Sequence, residues 1–139
     1  MANVDEKTMR EVKDFALGTW ELIKRTTNPN VIFSWGVRGI GGGLVESTDG
    51  QKSFPALFLD VSGLIHTGRV VVMRVIGEYR VACFNANGKR VGDWVDELAY
   101  DELGDVIDSL VEHPKDMSDE DYQFLSSLDS FLKMMSEMN

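Results

Sequence analysis

The chain has 139 residues, 43% of them hydrophobic, and a net charge of −9. This composition excludes a disordered chain and fits one globular domain, residues 1–139. A chain this acidic is a poor general binder of nucleic acid, so direct nucleic-acid binding is not expected. Its single cysteine excludes an intramolecular disulfide and a cysteine-rich zinc site.

The sequence contains no recognisable targeting or membrane signal. The first residues lack the basic and apolar regions of a secretory signal, and no apolar run approaches the roughly 20 residues of a membrane span. Cys83 lies in the middle of the chain, where no lipidation motif would place it. We therefore expect a cytoplasmic protein with no membrane partner.

Charge and glycine are distributed unevenly along the chain. Residues 1–30 have no net charge, residues 31–90 carry +3, and residues 91–139 carry −12. Eleven of the thirteen glycines lie between Gly36 and Gly92. This pattern predicts a helix, then a sheet interrupted by glycine turns, then acidic helices.

The first predicted element is a helix that ends at Asn28-Pro29-Asn30. Its apolar residues recur at three- and four-residue steps, which places them on one face. They are Met9, Val12, Phe15, Ala16, Trp20 and Ile23.

The middle of the chain predicts four or five antiparallel strands. Apolar and other residues alternate over residues 31–38, which indicates the first strand. The glycine-rich residues 39–43 lack both the dinucleotide-binding and the P-loop patterns, so we expect a flexible hairpin or bulge loop there. Further strands are expected over residues 54–61, 69–76 and 79–84.

Two dipeptides predict tight hairpins in this sheet. Gly77-Glu78 fits a type II′ turn and Asn87-Gly88 fits a type I′ turn. The register that follows from the first turn places Arg74 and Arg80 on opposite faces, so the basic residues are expected to be spread out. No stretch between the strands is long enough for a helix, which favours a meander over a parallel sheet.

Two amphipathic helices are predicted after the sheet. The first begins near Asp101, ends at His113-Pro114 and has an apolar stripe: Leu98, Leu103, Val106, Ile107, Leu110 and Val111. The second begins at Ser118, with the spacing of a capping box. The expected fold class is α+β, with an N-terminal helix, a four- to five-stranded antiparallel meander and two C-terminal helices.

The order of these motifs resembles small proteins encoded by mobile elements of anaerobic gut bacteria. The resemblance covers residues 31–112 and depends mainly on turns and core positions. The matching parts are Ser34-Trp35-Gly36, residues 58–68 (FLDVSGLIHTG), Asn87-Gly88 and residues 100–108 (YDELGDVID). It supports the same fold and implies no activity.

Four carboxylates form a stripe on one face of the first C-terminal helix. Their spacing is four, three and four residues: Asp101, Asp105, Asp108 and Glu112. The stripe is either a solvated helix face or a surface for a basic partner, and a calcium site is a further alternative. The second interpretation gives the hypothesis of an acidic nucleic-acid mimic or immunity-type inhibitor that occupies a basic groove.

The last predicted helix has the broadest apolar face of the chain. Its members are Phe124, Leu125, Leu128, Phe131, Leu132, Met135 and Met138. Such a face packs either in the core or against a second copy or a partner. Because no catalytic constellation accompanies it, we expect a non-enzymatic interaction or regulatory protein, with this face as the candidate homodimer surface.

Few residues suggest catalysis, and no metal or cofactor is predicted. Cys83 fits a buried, inert thiol, and its pairing with a histidine as a nucleophile is the alternative. Neither His66 nor His113 has a second histidine at metal-ligand spacing. The remaining hypothesis is an enzyme or small-molecule binder whose pocket is lined by Trp35, Tyr79 or His66.

Overall fold

The computed structural model describes residues 6–46, 50, 52–113, 117–125 and 134–135. Within these, the elements are α1 (Glu6–Thr26), α2 (Pro29–Ser34), β1 (Gly39–Glu46), β2 (Ser53–Ser62), β3 (Thr67–Val75), β4 (Glu78–Phe84), β5 (Arg90–Leu98), a 3₁₀ turn (Tyr100–Glu102) and α3 (Leu103–Val111). Residues 119–125 are also helical and are called the last helix; residues 134–135 are helical too. The predicted α+β fold is confirmed.

The five strands form one sheet in the order β1-β2-β3-β4-β5, and every neighbouring pair is antiparallel. This is the predicted meander. Strand β5 is irregular, because its pairing with β4 shifts twice and both Gly92 and Glu97 have a positive φ. Bulges of this kind twist an edge strand and make it a poor template for another chain.

Helices α1 and α3 pack on one face of the sheet, here called the inner face. The largest core cluster lies between them and includes Ile23 of α1, Leu57 and Val72 of the sheet, and Ile107 of α3, all fully buried. The helical stripes predicted for both helices supply this core, although Met9 stays exposed and Leu98 ends β5. None of the helices in the described ranges combines the length and hydropathy that a membrane span requires.

The strand predicted over residues 31–38 is wrong. Residues 29–34 form α2 instead. The Asn28 side chain caps this helix by accepting from the Asn30 backbone N–H at 2.8 Å. Pro29 occupies the first turn, where its missing N–H costs nothing. The Asn-Pro pair therefore separates two helices, and its capping chemistry outweighs the alternation of the residues that follow.

The loop predicted over residues 39–43 is also wrong, because these residues lie in β1. A Cβ on Gly42 would lie 3.0 Å from side-chain carbons of Val12 and Ala16, so the glycine lets α1 approach the sheet closely. A Cβ on Gly43 would lie 2.6 Å from the Phe58 ring, which covers this position from β2. Packing against α1 and Phe58 thus compensates for the poor strand propensity of glycine.

Both predicted hairpin turns are displaced. The β3–β4 turn has Ile76 and Gly77 at its tip, and Val75 pairs with Glu78. In the β4–β5 turn the Gly88 N–H donates to the Asn85 carbonyl, which gives a longer loop than the expected two residues. Arg74 and Arg80 nevertheless lie on opposite faces, because Arg74 pairs with Tyr79 and Arg80 with Met73.

Candidate functional site

The four carboxylates of the acidic stripe fall into two environments. Asp101 and Asp105 are exposed at the start of α3. Asp108 is half-buried and accepts a hydrogen bond from the Trp35 indole N–H at 2.9 Å. Glu112 is only 5% exposed. The stripe therefore presents two carboxylates to a partner and uses the other two within the chain.

Burial raises the pKa of Asp108. The hydrogen bond from Trp35 and the charge of His113 lower the pKa, whereas the neighbouring Asp105 raises it further. Because the burial effect is the largest, the folded protein holds a proton on Asp108 more readily than the unfolded chain does. The same aspartate gives the fully buried Trp35 an acceptor for its N–H.

Glu112 joins three parts of the chain. One carboxylate oxygen accepts from the Leu64 backbone N–H at 2.5 Å, in the loop between β2 and β3. The other accepts from the Tyr122 hydroxyl at 3.1 Å, in the last helix. The His113 ring stacks on Tyr122 with 4.2 Å between centroids. This cluster holds the start of the last helix against the end of α3.

The last helix begins as its sequence predicts. The Ser118 hydroxyl accepts from the Asp121 backbone N–H at 3.1 Å, which caps the first turn. Phe124 is 70% exposed, Leu125 is half-buried, and Met135 is exposed. The other residues of the predicted dimer face lie outside the described residues: Leu128, Phe131, Leu132 and Met138.

A second apolar surface lies in a groove between α1 and the edge strand β1. It has a volume of about 550 Å³ and is lined by Met9 and Leu17 of α1 and by Ile40 and Leu44 of β1. All four side chains are exposed. The sequence analysis missed this groove because residues 39–43 were interpreted as a loop. The signal was present in the apolar residues that flank the glycines on both sides.

The pocket proposed around Trp35, Tyr79 or His66 does not appear among the described residues. Trp35 and Tyr79 are buried in the inner core. His66 is 8% exposed, and its Nε2 atom has no hydrogen-bond partner among the described residues. Cys83 is buried beside them in the same core. Burial raises the pKa of the Cys83 thiol to about 11, which keeps the thiol protonated and unreactive at neutral pH.

Comparison with known proteins adds no further information. No family model matches the chain, and no curated protein or solved structure is found to be similar to it. The functional interpretation therefore depends on the geometry alone. In that geometry the exposed apolar surfaces are the groove between α1 and β1 and the exposed residues of the last helix.

Proposed function

We propose that this protein is a non-enzymatic interaction module that forms a homodimer. The last helix of each copy binds the groove between α1 and β1 of the other copy. The observation that carries the proposal is the exposure of large apolar side chains on both surfaces, Phe124 on one and Met9 and Leu17 on the other. Apolar patches of this kind are typical of interaction sites.

The dimensions of the two surfaces support this pairing. Met9 and Leu17 are eight residues apart on α1, which corresponds to a length of roughly 12 Å, or about two helical turns. Helices that bind in such grooves use apolar anchors at steps of three and four residues. Phe124, Leu128, Phe131 and Met135 have these steps.

Charge also favours the pairing. Residues 117–139 contain five acidic residues and one basic residue, for a net charge of −4. Lys13 lies at the edge of the groove. Attraction between them guides the orientation of the bound helix and contributes little to its affinity.

The test is the oligomeric state of three variants, each measured by sedimentation from micromolar to high-micromolar concentration. We expect a wild-type dimer and monomers for Phe124→Asp and Leu17→Asp, because each change places a charge in the apolar contact. Both side chains are exposed in the single chain, so neither change should unfold it. Ile76→Asp is the matched control, since Ile76 is exposed at a hairpin tip outside both surfaces, and it should remain dimeric.

Mixing the two monomeric variants distinguishes this dimer from one formed by two last helices. The Phe124→Asp protein keeps an intact groove and the Leu17→Asp protein keeps an intact helix, so the mixture should form a weaker heterodimer with one of the two contacts. A dimer that survives Leu17→Asp contradicts the groove, and a strictly monomeric wild-type protein contradicts the proposal as a whole.

A further inference from the structure

The outer face of the sheet, opposite α1 and α3, carries its own apolar cluster. Ala56, Val71 and Met73 are buried there. Partly buried rings surround them: Phe54, Phe58, Phe84 and Trp94. No helix among the described elements packs on this face, so its aromatic residues lie at the surface of the protein.

A concavity of about 750 Å³ opens on this face. Its apolar lining includes the Phe58 and Phe84 rings and Val71. The β4–β5 turn adds Asn85 to the lining, and Arg38 and Arg69 add two guanidinium groups. A mainly apolar lining with a few charged groups is typical of small-molecule sites, which have volumes of about 300–1,000 Å³.

The two arginines are held differently. The Arg69 Nε donates to the Asp60 carboxylate at 3.0 Å, and its guanidinium lies 5.0 Å from the centre of the Phe58 ring. The backbone N–H of Arg38 donates to the Asp60 carbonyl at 2.8 Å, which anchors this residue beside the concavity. The Arg38 side chain is exposed and has no ion-pair partner among the described residues.

These contacts leave the concavity with a positive charge. Asp60 neutralises one guanidinium and leaves the other uncompensated. In a chain with a net charge of −9, a positive apolar concavity differs from the average surface. Guanidinium groups bind carboxylates and phosphates through paired hydrogen bonds, and aromatic walls favour a flat or apolar body.

We propose that this concavity binds an organic anion. Its flat, apolar body lies against Phe58, Phe84 and Val71, and its acidic group contacts Arg38, with Arg69 beside it. This site is on the opposite face of the sheet from the inner core and does not depend on the proposed dimer. The shared chemistry covers aromatic carboxylates and nucleotide-like phosphates.

The test compares two fluorescent probes that differ by one acidic group. We expect the wild-type protein to bind 1-anilinonaphthalene-8-sulfonate and to bind its uncharged analogue, N-phenyl-1-naphthylamine, less tightly. Arg38→Gln should weaken sulfonate binding about tenfold, because a charged hydrogen-bond partner is lost, and should leave binding of the uncharged analogue unchanged. Arg74→Gln is the matched control, since Arg74 is an exposed arginine on the other face, and it should bind both probes normally.

Two further measurements locate the site and separate the ligand classes. Leu17→Asp, which alters the groove between α1 and β1, should retain sulfonate binding. Competition of the bound probe by naphthoate and by naphthyl phosphate shows whether carboxylates or phosphates are preferred. Sulfonate binding that is unaffected by Arg38→Gln, reduced equally by Arg74→Gln, or lost in Leu17→Asp contradicts the proposal.

Discussion

Trp35 and Asp108 show how a single polar contact positions a buried residue. The Trp35 side chain is fully buried, so its indole N–H needs an acceptor inside the protein. Asp108 supplies it from α3, 73 residues further along the chain. The contact joins the end of α2 to α3 and takes Asp108 out of the acidic stripe.

Two substitutions of Asp108 separate its hydrogen bond from its charge. Asp108→Asn keeps an oxygen acceptor for Trp35 and removes the charge that burial disfavours. We therefore expect it to be at least as stable as the wild type near neutral pH. Asp108→Leu leaves the indole N–H unpaired and should cost about 1–3 kcal/mol of the free energy of unfolding. Urea denaturation measures both, and equal losses in the two variants contradict this account.

The sign of the pH dependence follows from the raised pKa of Asp108. The folded state holds the proton above the ordinary pKa of 3.8, where the unfolded chain has released it. Stability from this residue therefore falls as pH rises through that window. In Asp108→Asn this component of the pH dependence should disappear, and an unchanged stability profile between about pH 3 and 6 would contradict it.

At the scale of elements, the β3–β4 hairpin contains a strained turn. Ile76 has a φ of 50° and Gly77 a φ of 81°, the combination of a type I′ turn. Glycine adopts such values readily, whereas a β-branched residue does so at a cost. Ile76 is almost fully exposed, so no packing of its side chain offsets that cost.

We expect Ile76→Asn to stabilise the protein by about 1 kcal/mol, because Asn-Gly is the preferred pair for this turn. Thermal or urea denaturation measures the gain. Ile65→Asn is the matched control, since Ile65 is exposed and its φ is not positive. It should bring no gain, and an equal gain in both variants would point to lost surface hydrophobicity instead of relieved strain.

At the scale of the whole molecule, Glu112 connects elements that are distant in sequence. It binds the β2–β3 loop through Leu64 and the last helix through Tyr122. The loop is also fixed by the Val111 carbonyl, which accepts from the backbone N–H groups of Ile65 and His66. The last helix, and with it the exposed Phe124, is thus attached to the body at one end.

Glu112→Ala should cost about 2–3 kcal/mol, because it removes the acceptor of a buried backbone N–H and of a tyrosine hydroxyl. Hydrogen exchange should accelerate in residues 117–125 and in the loop around Leu64, with the centre of the sheet much less affected. Asp105→Ala is the control, since Asp105 is exposed on the same helix and should have no such effect. Equal acceleration in both variants contradicts the joining role.

The sequence by itself determined the elements whose patterns are local. The helical stripe of α1, the apolar strands β2 to β4, the stripe of α3 and the cap at Ser118 all follow from spacing and composition. Together with connections too short for helices, they determined an antiparallel α+β meander. Local signals also failed where two competed, because Asn28-Pro29 begins a helix in which the apolar alternation had suggested a strand.

Only the tertiary structure decided which residues share a surface. Residues 39–43 become a strand because α1 and Phe58 pack against their glycines, and no local propensity predicts that contact. The four carboxylates have one spacing and two fates, since Asp108 meets Trp35 and Glu112 meets Leu64 across long stretches of chain. Burial and electrostatic environment depend on what lies opposite a side chain in space. The groove and the positive concavity therefore emerge only after folding.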